Sequence, residues 1–296
     1  MAIFVTGDTH GSKSTSPYAV DGFMHRFNTT NFPEGKELTK NDYVIICGDF
    51  GGIWSTDRKS VQESPSERYA LDWLQNKPFT TLFVPGNHEN YDRLTGIKDE
   101  KLLNSWLFAK MPDDQKKIFK EGYPKMTWNG GTVRVIRPSV LMLETGVFTI
   151  NNKKIFVYGG APSHDIQGGI LNPADFPTEQ EFAKTYQKMY NSGVNFRVKG
   201  ISWWEQELPD KQSEQNAINA LEKVNWTVDF IITHDCAISD RTILGYIGDT
   251  ERIHMFLQEI KEKMTYKHWF FGHLHDNQNL PGNKEHLIYE QIVQIQ

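Results

Sequence analysis

Two aspartates, one asparagine and five histidines stand in five short polar motifs: GDTHG at 7–11, GD at 48–49, GNHE at 86–89, THD at 233–235 and GHLH at 272–275. The side chains are Asp8, His10, Asp49, Asn87, His88, His234, His273 and His275. Carboxylate, amide oxygen and imidazole together suit Mn, Fe, Zn or Co better than Ca or a thiolate-bound metal. Eight such groups can hold two divalent ions and leave one imidazole over. Two ions about 3.5–4 Å apart clamp an in-line displacement at phosphorus and lower the pKa of water at the site. That clamp needs a shared carboxylate, and an aspartate in a tight Gly-Asp turn can approach both ions. The chemistry expected is that of a binuclear metal hydrolase.

Every motif directly follows an apolar, strand-like run. Ile3–Thr6 leads into GDTHG, Tyr43–Cys47 into Gly48-Asp49 and Thr80–Pro85 into GNHE; Val228–Thr233 and Lys267–Phe271 precede the last two. Side chains two apart on a strand share a face, so Asp8/His10 and His273/His275 can each offer two ligands to one site. A helix is expected over Ser66–Gln75, with Ser64, Pro65 and Ser66 as cap and first turn. Continuous apolar strands alternating with helical segments argue for a central sheet covered on both faces, and ligands gather at the strands' carboxyl ends.

Residues 132–160 read as a meander passing to a second sheet, with strands at Val133–Ile136, Val140–Glu144, Val147–Ile150 and Lys154–Tyr158. The pair Asn151-Asn152 suits a tight hairpin. The stretch from Gly159 to Asp210 is irregular apart from a helix near Glu179–Asn191, and reads as an insertion or lid. Helices at 213–224 and 250–263 and a final strand at Leu287–Val293 complete the chain. No internal repeat or low-complexity linker divides it, so one domain over 1–296 is expected.

At 296 residues the chain can bury a substantial core, and its net charge of −5 supplies no basic footprint for wrapping a nucleic-acid duplex. The two cysteines, Cys47 and Cys236, lie in apolar surroundings without metal-ligand spacing and are read as small buried hydrophobes. No apolar run approaches the ~18 residues of a membrane helix. With the strand and motif that open the chain, this makes the cytoplasm the expected location and a membrane partner unexpected.

The five blocks, in this order, resemble the calcineurin-like metallophosphoesterases, whose pattern is D-x-H, GD, GNH[ED], a histidine after an apolar strand, and GHxH. The match spans residues 6–275. The resemblance implies a four-layer αββα sandwich: two mixed β-sheets packed face to face, with helices outside. It implies that Asp8, His10, Asp49 and His275 hold one metal and Asp49, Asn87, His234 and His273 the other, with Asp49 shared. His88 then stands outside the metals and protonates the leaving oxygen, while water activated between the ions attacks phosphorus in line. Mn is the first expectation for the two ions, with Fe, Zn, Co, Ni and Mg as alternatives.

The departures from that pattern bear on substrate. In the serine/threonine protein phosphatase branch the second block reads GDxVDRG and an arginine precedes GNHE. Here Gly52, Ile53 and Pro85 occupy those places. The carboxylate that would orient His88 and two phosphate-gripping arginines are therefore missing from their expected positions. The expectation is a phosphodiesterase or nucleotide phosphoesterase, acting on a nucleotide or a nucleic-acid end, rather than a protein phosphatase or phosphomonoesterase. A protein-binding scaffold of the same fold should have lost ligands, and none is lost; no protein partner is evident.

Other residues carry weaker signals. His164 and Asp165 follow a strand and a Gly-Gly turn, as substrate contacts or a plain polar loop pair. Trp203 and Trp204 are stacking platforms for a base or anchors of the insertion. Asp235 sits where it could orient a ligand, but on an extended strand its side chain points away from that of His234. His25, His254, His268 and His286 lack motif context and read as surface or packing residues.

Overall fold

The computed structural model describes residues 1–13, 22–54, 63–248 and 250–296. Strands β1 (Ile3–Thr6), β2 (Tyr43–Ile46) and β3 (Thr80–Phe83) run parallel, in the order expected from their apolar runs. They join β4 (Lys125–Trp128), β5 (Gly131–Arg137), β6 (Val140–Leu143) and β15 (Ile292–Gln294) in a sheet ordered β15-β1-β2-β3-β6-β5-β4. A second sheet holds β7 (Gly146–Ile150), β8 (Lys153–Tyr158), β11 (Phe230–Thr233), β12 (His268–Phe271), β13 (Gln278–Asn279) and β14 (Glu285–Leu287), ordered β13-β14-β12-β11-β8-β7. The remaining pair, β9 (Ile170–Leu171) and β10 (Arg197–Val198), lies in the 159–210 segment.

Strand alternation explains the layers. Ile3, Val5, Ile45, Leu82 and Leu141 meet Ile155, Val157, Phe230, Ile232 and Phe270 in one core between the sheets. Their neighbours Phe4, Val44, Ile46 and Phe83 face outward, onto Ala70, Leu71 and Leu74 of the helix Pro65–Gln75. On the other side Phe156, Ile231, Trp269 and Phe271 face Leu221, Phe256, Leu257 and Ile260, from helices Lys211–Glu222 and Arg252–Lys263. Both faces of each sheet bury apolar side chains, so helix, sheet, sheet and helix stack as four layers.

The helix start is as the sequence implied: Ser64 accepts a hydrogen bond from the backbone N–H of Glu67 at 3.2 Å, and Pro65 opens the first turn. Asn151 and Asn152 take φ of 49° and 60° in the hairpin between β7 and β8. Cys47 and Cys236 are buried. Among the described residues no helix is long and apolar enough to cross a membrane.

One strand expectation needs correction, and one strand was not expected. The run Leu287–Val293 is not one strand: β14 ends at Leu287 in the second sheet, and β15 begins at Ile292 antiparallel to β1 in the first. Its apolar residues serve three different cores, and Tyr289 lies in the crossing between the two strands. The unexpected one is the edge strand β4, which is mostly exposed, with Trp128 alone packing against the core between the sheets.

Gly48 shows how tightly the strand ends meet. Its φ is 94°, and a Cβ there would lie 1.9 Å from Nδ1 of His234. Gly48→Ala should therefore keep the secondary structure but lower Tm by the equivalent of about 1–3 kcal/mol and reduce metal binding. Circular dichroism melting and metal analysis check this; unchanged values for both would contradict the packing.

Candidate metal centre and catalytic cleft

All five motifs lie just beyond the carboxyl ends of β1, β2, β3, β11 and β12, so two sheets contribute to one place. The chain must turn sharply there to aim polar side chains back at one point. His10, Asp49, His273 and His275 have φ of 46°, 45°, 67° and 51°, the left-handed region that costs a side-chain-bearing residue energy. Four of the seven expected ligands thus sit in backbone that the surrounding fold must hold.

The ligand atoms converge in two groups. Asp8, His10, Asp49 and His275 form one; Asp49, His234 and His273 form the other, and within each group the ligand atoms lie within 4.8 Å of one another. His275 Nε2 is 3.1 Å from Asp8 Oδ2 and His10 Nε2 is 2.8 Å from His275 Nε2. His234 Nε2 is 3.3 Å from Asp49 Oδ1 and 3.1 Å from Asn87 Oδ1, which brings Asn87 to the second group. Oxygen and imidazole donors in two clusters with a common carboxylate fit two borderline divalent ions.

Neighbouring groups orient these ligands. His234 Nδ1 meets the Cys47 carbonyl at 2.9 Å, which leaves Nε2 facing the cluster. Asn87 Nδ2 is 3.5 Å from the Ser163 hydroxyl, which donates to Glu207 at 2.9 Å. The Glu207 carboxylate also accepts from the Ser163 N–H and the Trp203 indole; burial pushes its pKa up to about 7. Asp235 is buried, bonded to His254 at 2.7 Å and to Arg241 at 3.0 Å, and lies 3.8 Å from His273 Nε2. It is thus set to orient His273 rather than its neighbour His234. His254 is a fully buried partner of that carboxylate.

Glu89, the last residue of GNHE, is fully buried and accepts from the Phe50 N–H at 2.7 Å, which braces the turn carrying Asp49. Burial, with Asp49 adding, raises its pKa well above the usual carboxylate range. Asp49 also accepts from the His88 N–H at 2.7 Å. Burial opposes charge on Asp49, but His234 and His88 outweigh it and hold its pKa well below normal. Burial likewise disfavours charge on His234, while Asp49 and Asp8 push it up to about 10.

His88 stands at the rim of a cleft of 660 Å³ lined by His10, Trp54, His164, Asp165, Arg197, His275 and Tyr289, among others. Trp54 stacks on His88, with ring centroids 5.8 Å apart, and Tyr289 stacks on His275 at 4.9 Å. Burial, with His10 and Arg197 adding, lowers the His88 pKa to about 4 against the pull of Asp49. Arg197, which the sequence reading did not single out, places Nη2 3.2 Å from His88 Nε2. Nothing in its local sequence marks it.

The weaker candidates divide. His164 is exposed in the cleft, its ring 6.1 Å from that of His273. Asp165 reaches the cleft but is paired with Arg197, Nε to Oδ1 at 2.6 Å. Trp204 is 2 % exposed and donates to Asp92 at 3.0 Å, so it anchors the 159–210 segment and packs against Trp54 instead of offering a face to a base. Trp203 lines a neighbouring cavity with Lys98 and Lys199 and does not line the cleft.

The sequence model of the calcineurin-like phosphoesterase family matches residues 1–277. The chain belongs to that family. As a calcineurin-like phosphoesterase it is a phosphoester hydrolase of a binuclear divalent-metal family, and the two clusters supply candidate ligands. It matches no curated protein sequence. Among solved structures it is similar to phosphopantetheinyl hydrolase from Mycobacterium tuberculosis, at 14% identity and TM-score 0.33, over 97% of this chain and 88% of that one. A Staphylococcus aureus protein described as a candidate 5'-nucleotidase aligns at 12% identity and TM-score 0.34, over 97% of this chain and 48% of its own. At these scores neither likeness adds to the family match.

Two measurements test the clusters. Coordination needs a neutral imidazole, so metal uptake must displace the proton that Asp49 and Asp8 hold on His234. Calorimetry in buffers of different ionisation heat should show release of about one proton or more, with affinity weakening toward acid pH; no release would contradict this account. Ser163→Ala should leave Asn87 unsupported and weaken the second metal about 10–100-fold with the first retained, as metal titration would show.

Proposed function

We propose that this phosphoesterase hydrolyses phosphodiesters or nucleotide esters at the cleft, with two divalent ions held as Asp8/His10/Asp49/His275 and Asp49/Asn87/His234/His273. The observation that carries this reading is the pair of ligand clusters joined at Asp49, with His88 beside them at the cleft rim. When bound, such ions polarise the phosphoryl oxygens and make water at the site a stronger nucleophile near neutral pH. Mn is the first choice for both positions.

The chain's own residues do the rest. Asp49 holds the two halves of the site in register and, through the His88 N–H, fixes where the histidine stands. His88 supplies a proton to the departing oxygen. Burial disfavours its charged form, and an incoming phosphate anion reverses that preference when the proton is needed. Trp54 and Tyr289 give the cleft aromatic walls that suit a planar leaving group, and His164 lies within reach of it. The 159–210 segment acts as the lid of a single catalytic domain.

Asp49→Asn should lose both metals and nearly all turnover of an aryl phosphodiester. His88→Ala should keep the metals and lose at least about 100-fold in kcat. Full metal-dependent activity in both variants would refute the assignment. Wild-type enzyme with Mn should also hydrolyse a bis-aryl phosphate faster than the mono-aryl compound; a strong preference for the monoester would overturn the diester reading.

A further inference from the structure

We propose that Arg197 and Asp165 form a phosphate-recognition pair in which Arg197 grips a phosphoryl oxygen of the substrate and Asp165 restricts the cleft to singly charged phosphodiesters. This rests on the hydrolase reading above and concerns residues outside all five motifs. Arg197 is 6 % exposed, yet its guanidinium lines the cleft beside His88. Its Nη2 donates to Asp165 Oδ2 at 3.0 Å, and its Nε lies 2.6 Å from Asp165 Oδ1 in the same ion pair, which holds the guanidinium beside the carboxylate. Its Nη1 donates to the Ser202 carbonyl at 3.1 Å.

Arginine carries five N–H donors, and one on Nη1 is not taken up by these contacts. The remaining contact, Nη2 to His88 Nε2 at 3.2 Å, sets a cation against an imidazole. A phosphate anion is a stronger partner for the guanidinium than a neutral imidazole is, and can take over this contact. A buried cation that turns an Nη2 N–H toward the cleft, at His88, is therefore built to receive a phosphoryl oxygen. The backbone holds it there: Arg197 begins β10, whose pairing with β9 and whose Val198 packing against Leu171 and Phe182 anchor it.

Asp165 has a second effect. Its carboxylate neutralises the guanidinium and, being partly exposed, lies beside the incoming phosphate. A diester carries one negative charge, whereas a monoester at neutral pH carries about 1.5–2. The extra charge meets a neutral Arg197–Asp165 pair instead of a free cation, so the pair discriminates against monoesters. Asp165 is thus a positioning and charge-limiting residue, and Arg197 is the one that touches substrate.

The test uses the full chain loaded with Mn, as wild type, Arg197→Ala, Arg197→Lys and Asp165→Asn. Binding of inorganic phosphate, followed by calorimetry, requires no turnover. Arg197→Ala should weaken it about tenfold or more at unchanged metal content, and Arg197→Lys should recover part of the loss. Asp165→Asn should strengthen phosphate binding. In turnover, Arg197→Ala should raise KM for bis-aryl phosphate more than it lowers kcat, and Asp165→Asn should narrow the diester-to-monoester ratio of kcat/KM several-fold. Phosphate affinity unchanged in Arg197→Ala overturns the grip, and a ratio unchanged in Asp165→Asn overturns the charge limit. Wild-type protein that binds phosphate in this way but hydrolyses no ester would refute the hydrolase reading and leave the grip standing.

Discussion

Asp8 and Asp49 are closed off from solvent at the carboxyl ends of neighbouring parallel strands, and imidazoles from the opposite sheet face them. Two like charges held this close and this dry repel each other and have lost their hydration. The fold tolerates them because compensating positive charge can enter, either as a proton on His234 or as the divalent ions of this family. Much else follows from that constraint. It accounts for the left-handed turns at His10, Asp49, His273 and His275, which aim side chains that ordinary strand ends would splay apart. It accounts for Glu89, whose buried carboxyl braces the Asp49 turn while burial and Asp49 disfavour a further negative charge there.

The 159–210 segment is tied to this centre by three separate routes. Glu207 holds Ser163, which meets the amide of Asn87. Trp204 locks onto Asp92 and packs edge-on against Trp54, which stacks on His88. Arg197 reaches His88 directly. The segment is therefore part of the wall around the candidate site. Its residues contact the Asn87 amide, the Nε2 edge of His88 and the tryptophan stacked on that ring.

The strand runs and the candidate donors that follow them were legible in the chain because each depends on short-range pattern. Tyr43–Ile46 alternates its apolar side chains between two cores, and a polar motif follows within a few residues, so strand and ligand come as a unit. Leu287–Val293 misled because an unbroken apolar run does not reveal which sheet it joins. Its halves pair with β12 and β1, which lie in different sheets. Trp204 offered two readings of equal standing, and only its burial against Asp92 separates them. Asp235 was read as pointing away from His234; it does, and in doing so it approaches His273.

The sequence by itself determined the donor types, their order along the chain and the strand ends that carry them. Those are local properties, written in residue identity and in period-two alternation. Only the tertiary structure decided how close the donors come to one another, how each imidazole is turned, and what stands beside His88. Those depend on contacts between residues far apart in the chain, such as Arg197 and His88. Burial and electrostatics select such contacts after the sheets have packed, and no local periodicity encodes them.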